Sequence, residues 1–367
     1  MPLTTHTVSS VFGPDSRVGM ELRGSPQLCL PTEYIGVEIE LEQADLNINP
    51  TRRFIWPENE SLARALVNTH ADGSLRNGVE LVFRQPLFGE QAIAAIDAMF
   101  AIKEINRLSD SVRTSTHVHV NYSDVTIDVP IRAAALCSVI EPYIVSTAGT
   151  HREANCYAVS IRGSDFLTNR RVNHSMYDFI IGQANSHRYL GFNMAALAKY
   201  GTIEYRYFGG LERDSVIALV NMLLEQKKVA MMATPIVQLV QQYETIRDFI
   251  VAQLPYAAAF LKLDSVSREE DLAWRDEVLM RLVSSVAFSE AMGNLPDAEE
   301  YDGNEYDNGD AEDTSPAIPL TAVDPAITEI PMPDDAVFVS RQVESIDRYV
   351  DLMNRVNSAT AHAVRVR

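Results

Sequence analysis

Tyr34-Ile-Gly-Val-Glu-Ile-Glu-Leu-Glu42 alternates apolar Val37, Ile39 and Leu41 with acidic Glu38, Glu40 and Glu42. Successive side chains of a strand point to opposite faces, so a period of two predicts a strand with one apolar and one acidic face. Three carboxylates on one face repel, each pair by about 1 kcal/mol in water and by more once partly buried. A solvated face tolerates that repulsion. A divalent cation cancels it, because hard cations such as Mg²⁺ take carboxylate oxygens at the spacing a strand supplies.

Three further segments carry the same pattern. Asp72-Gly-Ser-Leu75 reads as a tight turn, and it leads into Gly78-Val-Glu-Leu-Val-Phe-Arg-Gln-Pro86. A strand is predicted at 79–83, stopped by Pro86, with Glu80 between apolar Val79 and Leu81. Thr116-His-Val-His-Val-Asn121 puts His117 and His119 on one strand face and Val118 and Val120 on the other. No cysteine or third histidine lies nearby to complete a zinc site, so the pair suits phosphate, a carboxylate or an oxygen-rich metal site better. Thr202-Ile-Glu-Tyr-Arg-Tyr-Phe208 is rich in β-branched and aromatic residues, with Glu204 and Arg206 sharing a face. A surface salt bridge is the plain reading of that last pair; a metal-binding Glu204 beside a phosphoryl-binding Arg206 is the functional one.

Around these strands the chain turns helical. Apolar spacing predicts a helix over 91–108, and Pro130 opens another that runs from Ile131 to about Ser146. From Asp214, a plausible N-cap, helix is expected to about residue 290 with a break near Thr234-Pro235. The class is therefore α+β, with a largely antiparallel sheet followed by helices. Residues 1–32 read as an irregular lead-in, 33–290 as the main domain, 291–336 as an acidic, Pro-rich linker and 337–367 as a closing helix.

The 367 residues carry 31 basic and 50 acidic side chains, a formal net charge of −19. Acidity of that order speaks against a protein that grips nucleic-acid phosphates. Nine of the acidic residues, and no basic one, fall within 297–313, which reads as a solvated spacer. Cys29, Cys137 and Cys156 are too few and too scattered for a disulfide framework and are expected to be reduced thiols. No secretory leader and no membrane-length apolar stretch is read from the chain, so a cytoplasmic location is expected.

If the four strands share one sheet, their polar faces line a single groove of carboxylates, histidines and an arginine. That composition suits an Mg²⁺-nucleotide, whose phosphate charge the arginine takes up. The chain has neither a Gly-x-x-x-x-Gly-Lys-[Ser/Thr] loop nor Gly-x-Gly-x-x-Gly, so a nucleotide has to be held by the sheet and its metals.

The motif order GVEIELE, ADGSL…GVELVFRQPL, THVHVN and RYLGFN…GTIEYRYFGG, over about residues 33–230, resembles the amidoligase family. These are carboxylate–amine ligases of the glutamine-synthetase-like superfamily, several of them from phages. The resemblance implies ATP and Mg²⁺, and phosphorylation of a carboxylate whose phosphate an amine then displaces to leave an amide. By position, Glu38, Glu40, Glu80 and Glu204 match the family's metal ligands. His119 or His117 matches a histidine near metal and nucleotide phosphate, and Arg206 matches the phosphate-binding arginine. Asn193 falls where an asparagine precedes the last strand, and Asp72 matches the acidic turn; it is the candidate acceptor of the amine's proton. Ser115-Thr116 departs from a glycine-containing pair. Arg152, Arg170, Arg171 and His187 lie where substrate carboxylate contacts are expected, and the candidate lids are 155–172, with Gly163, Arg170 and Arg171, or the acidic linker folding back. The expected partners are an amino acid, peptide or protein carboxylate and an amine, in a host cytoplasm if the chain is phage-encoded, with self-association left open. The competing readings are an inactive ligase fold kept as an assembly scaffold, and a metal-dependent kinase or hydrolase on the same sheet.

Overall fold

The acidic strand forms as β1, Ile35–Gln43, at the centre of the sheet in the computed structural model of the chain. Residues 7–8, 25–43, 55–72, 75, 78–149, 158–162, 164, 166–167, 176–184 and 189–292 are described, all within the first of two compact units, Met1–Tyr301 and Asp302–Arg367. Nearly all of the acidic linker, the closing helix, Cys156, and Arg152, Gly163, Arg170, Arg171 and His187 lie outside the described residues.

The other strands are β2 (Val67–Asp72), β3 (Gly78–Phe83), β4 (Leu108–Ser109), β5 (Thr116–Asn121), β6 (Phe192–Asn193) and β7 (Thr202–Phe208). They hydrogen-bond in the order β2-β3-β1-β5-β7-β6, with β4 also on β1, and every pairing is antiparallel. The α+β class with a largely antiparallel sheet is thus what forms. Val37, Ile39 and Leu41, Val79 and Leu81, Val118 and Val120, and Ile203 and Tyr205 are all buried on one face. Helices α2 (Gly89–Ile105), α3 (Asp128–Ala148) and α6 (Arg213–Ala230) cover that face, packing on β1, β7 and β5 respectively. Between β5 and β7 the register shifts, so that Thr116 faces Phe208 while Val118 faces Tyr205. Three residues of β7 step past two of β5. The bulge allows Tyr207 and Phe208 both to be buried while Glu204 and Arg206 stay together on the open face.

Several boundaries differ from the pattern in the sequence. Leu108 leaves the second helix for β4, whose two residues pair with Glu42 and Gln43. Short α1 (Glu60–Leu66) and the edge strand β2 arise where no periodicity announces them. Asp72, expected in a turn, is the last residue of β2. Short helices α4 (Met176–Ala184) and α5 (Ala196–Tyr200) precede β7. The C-terminal helical region starts at Arg213, with Glu212 as N-cap and Asp214 in the first turn, and it breaks more often than Pro235 alone requires. It comprises α6, α7 (Ile236–Gln241), α8 (Ile246–Gln253), α9 (Pro255–Phe260), α10 (Arg268–Ser284) and α11 (Val286–Ala291). Helix α3 is also longer than expected, and by length and composition it is apolar enough to cross a membrane; 78% of its most apolar window is buried inside the protein, as in a core helix. Cys29 and Cys137 are free thiols.

Arg132 of α3 fastens the ends of two other helices. Its guanidinium donates to Ala230 O (3.2 Å) and Met232 O (2.5 Å) at the end of α6, and to Ala291 O (2.8 Å) at the end of α11. Helix C-termini leave carbonyls unpaired, and one planar fork meets several of them. Arg132→Ala is expected to lower unfolding free energy by about 1–2 kcal/mol, with Arg132→Lys recovering only part of it. Urea unfolding curves of the two variants measure this; equal stability of Arg132→Ala and wild type would show that the carbonyls are served as well by water.

Candidate functional site

The open face of the sheet is organised in rows fixed by strand register. Gly36 of β1, His119 of β5, Glu204 of β7 and Asn193 of β6 lie in one row. Glu38 faces His117 across β1 and β5, and Glu40 faces Glu80 across β1 and β3. His70 of β2 lies opposite Glu80 on its other side, and Asp72 lies opposite Gly78. The residues read from the sequence as metal ligands or catalysts are therefore on this one sheet, and a chain of contacts runs from His119 through Glu38, His117 and Glu204 to Arg206.

Glu38 sits between the histidines, with Oε1 3.3 Å from His119 Nε2 and Oε2 3.3 Å from His117 Nδ1. His117 Nδ1 is also 3.5 Å from Glu204 Oε1. Glu204, only 6% exposed, is ion-paired with Arg206 and accepts a 2.6 Å hydrogen bond from Asn193 Nδ2. Asn193 also accepts from Ala195 N (2.9 Å), so it holds Glu204 and shapes the turn into α5 at once. Ser115 donates to Glu40 and lies 2.8 Å from His117 Nε2. Thr202 Oγ1 lies 2.9 Å from His119 Nδ1, and the Tyr200 ring stands edge-on to that imidazole at 5.8 Å.

A solvated acidic face is not what forms. Burial pushes the Glu38 carboxyl up, but hydrogen bonds from His117 and His119 outweigh it and hold the group well below the usual carboxylate range. Burial acts the same way on Glu204, where His119, Arg206 and His117 prevail and the carboxyl is lowered. Burial disfavours a charged His119, yet the Glu38 hydrogen bond and the charge of Glu204 raise it. Glu80 has no such support. Burial, followed by the charges of Glu38, Glu40 and Asp72, pushes it up to about 7, with Arg206 opposing.

Glu38, His119 and Glu204 each offer a ligand atom within 4.8 Å of the others, a donor set that fits a divalent cation. Each has a second partner that orients it: His117 on Glu38, Thr202 on His119, Asn193 on Glu204. Glu40 and Glu80, opposite each other on β1 and β3 and read from the sequence as ligands, lie outside this group. The sequence placed His119 near metal rather than among its ligands. Ser115 entered only as a departure from a glycine pair, and Thr202 only as the first residue of a strand. Both are small hydroxyl residues at strand ends, and only the pairing of β5 with β1 and β7 shows what they touch.

No protein-family model matches the chain, and no curated protein matches it. Among matching solved structures is a bifunctional glutathione synthetase from Pasteurella multocida, 9% identical over 72% of this chain and 49% of that one, with a TM-score of 0.30. The chain spans about half the length of that protein. So loose a superposition carries no argument about fold or chemistry, and the functional reading rests on the site itself.

Proposed function

We propose that this chain is an ATP- and Mg²⁺-dependent carboxylate–amine ligase that makes an amide or isopeptide bond through an acyl phosphate. The observation that carries the reading is the convergence of Glu38, Glu40, Glu80, Glu204, His117, His119 and Arg206 on one half-buried sheet face. Like charges are costly to bury together, so a face that gathers four glutamates favours cations to balance them. The motif order shared with amidoligases supports the choice of reaction, and the strand pairing keeps those motifs adjacent.

In this reading Glu38, Glu204 and His119, with Glu40 and Glu80 beside them, hold divalent cation. When bound, the cation screens the triphosphate and polarises its terminal phosphoryl group. Arg206, paired with Glu204, takes up charge as the phosphoryl moves. The substrate carboxylate oxygen bonds to the γ-phosphorus as the bond to the ADP oxygen breaks. The amine nitrogen then bonds to the acyl carbon, phosphate leaves with the C–O electrons, and a carboxylate of the groove, proposed to be Asp72, accepts the surplus proton. Asn193 serves this chemistry by holding Glu204 in place. An amino acid, peptide or protein side chain supplies the carboxylate, and the reaction runs in the cytoplasm.

Calorimetric titration of ATP with and without Mg²⁺, on wild type, Glu38→Gln and Arg206→Ala, tests the reading. The expected result is saturable, Mg²⁺-dependent binding that weakens by about tenfold or more in both variants, in line with loss of a charge-assisted contact. Wild-type binding followed by amine-dependent ADP release separates a ligase from a kinase. No binding by folded wild type under any condition would discard the active ligase in favour of a scaffold.

A further inference from the structure

His119 is gripped from one side by a single short stretch of chain. Tyr200 closes α5, Gly201 follows with φ +67°, and Thr202 opens β7. That left-handed turn suits glycine, and a Cβ there would also stand 2.8 Å from Ser123 Cβ. The turn lets residues on both sides of Gly201 meet the same imidazole, Tyr200 through its ring and Thr202 through its hydroxyl, 2.9 Å from Nδ1. The opposite ring nitrogen, Nε2, faces Glu38 Oε1 at 3.3 Å and the group formed with Glu204.

We propose that Thr202 is a positioning residue that makes His119 a metal ligand. Its Oγ1 accepts a hydrogen bond from Nδ1–H, so that when a cation displaces the Nε2 proton shared with Glu38, the Nε2 lone pair is the one that points between Glu38 and Glu204. A neutral imidazole carries a lone pair on one nitrogen only when the other holds the proton, and a buried N–H needs an acceptor. In the alternative tautomer, with Nε2–H donating to Glu38, Thr202 would be the donor and no lone pair would face a cation. Tyr200, edge-on at 90° to the ring, limits its rotation. The proposal rests on the divalent-cation reading of the site and adds what selects the competent form of its nitrogen ligand.

Thr202→Val keeps the shape and removes the hydroxyl, whereas Thr202→Ser keeps the hydroxyl. Mn²⁺ alone, titrated into each protein and followed by the loss of its free-ion spin-resonance signal, is the probe. The expected result is about 10–100-fold weaker Mn²⁺ binding in Thr202→Val, the usual cost of losing the partner of a ligating histidine. Thr202→Ser is expected to stay within about threefold of wild type, a rescue that a packing role would not give. Equal affinity in wild type and Thr202→Val, or Thr202→Ser as weak as Thr202→Val, would overturn the assignment of Thr202 while leaving the cation site standing. Failure of folded wild type to bind Mn²⁺ would overturn the cation reading itself, and this proposal with it.

Discussion

Lys227→Ala is expected to lower unfolding free energy by about 3–5 kcal/mol, the usual result of breaking one side of a buried ion pair. The Lys227 side chain, on α6, has no exposure, and its Nζ lies 2.6 Å from Glu33 Oε2 and 3.3 Å from Asp124 Oδ1. Asn121 Nδ2 donates to both of the same carboxylates, at 3.1 and 3.0 Å, and the ammonium stands 5.4 Å from the centre of the Tyr122 ring. One cation thus ties the segment leading into β1, the segment leaving β5, and the helix beneath the sheet. Removing it strands two carboxylates in a partly buried cluster. Lys227→Met is expected to be nearly as harmful, and adding Glu33→Gln to it to restore part of the loss. Urea unfolding with an unchanged m-value is the measurement. A loss below about 1 kcal/mol would show that water already serves the cluster in place of Lys227.

Glu80→Gln is expected to stabilise the cation-free protein at pH 8 while reducing the stabilisation that cation gives. The Glu80 carboxyl is displaced from 4.5 to about 7 in the folded chain. Between those values the folded state holds a proton that the unfolded state has released, so stability falls as pH rises through this window and stays lower above it. Linkage puts the effect at roughly 3 kcal/mol, and solvent screening of a half-buried side chain brings it to about 1–2 kcal/mol. Glu38 and Glu204 act in the opposite sense: their lowered carboxyls add stability above 4.5 that is lost as pH falls. Glutamine lacks the charge, so the gain from Glu80→Gln should be present at pH 8 and small at pH 5. Saturating Mn²⁺ should raise the wild-type midpoint more at pH 8 than at pH 5, and raise that of Glu80→Gln less than that of wild type. A Glu80→Gln protein less stable than wild type at pH 8 would show that the carboxylate is already compensated without metal.

Much of the sheet was legible because its strands alternate cleanly. Thr116–Asn121 and Thr202–Phe208 form over the residues read from the sequence, with both histidines, Glu204 and Arg206 on the open face. The edge strand β2, Val-Asn-Thr-His-Ala-Asp, was not, because it is covered less and has no apolar face to maintain. The bulge at Arg206-Tyr207 has no local signature: it appears only once Thr116 and Val118 choose their partners. Lys227 lies in the polar run Glu225-Gln-Lys-Lys228, and its burial depends on carboxylates 194 and 103 residues away in sequence. Side chains that bear on one another through strand pairing, such as Ser115 with Glu40 and Thr202 with His119, are hidden for the same reason. The sequence states which face each residue occupies but not which neighbour it meets.

The order of the strands also has a consequence for how the chain reaches its native state. β1, β2 and β3 emerge early in synthesis and set Glu40 against Glu80, whereas β7, with Glu204 and Arg206, arrives only after the long α3 and the stretch that follows it. Contacts of such large sequence separation close slowly, and until they close the early strands expose an unfinished edge. The half-built sheet is also the most strongly self-repelling one, since its carboxylates precede the arginine that helps to offset them. Divalent cation present during refolding should therefore speed the late step and suppress aggregation, acting as a folding aid before it serves any reaction.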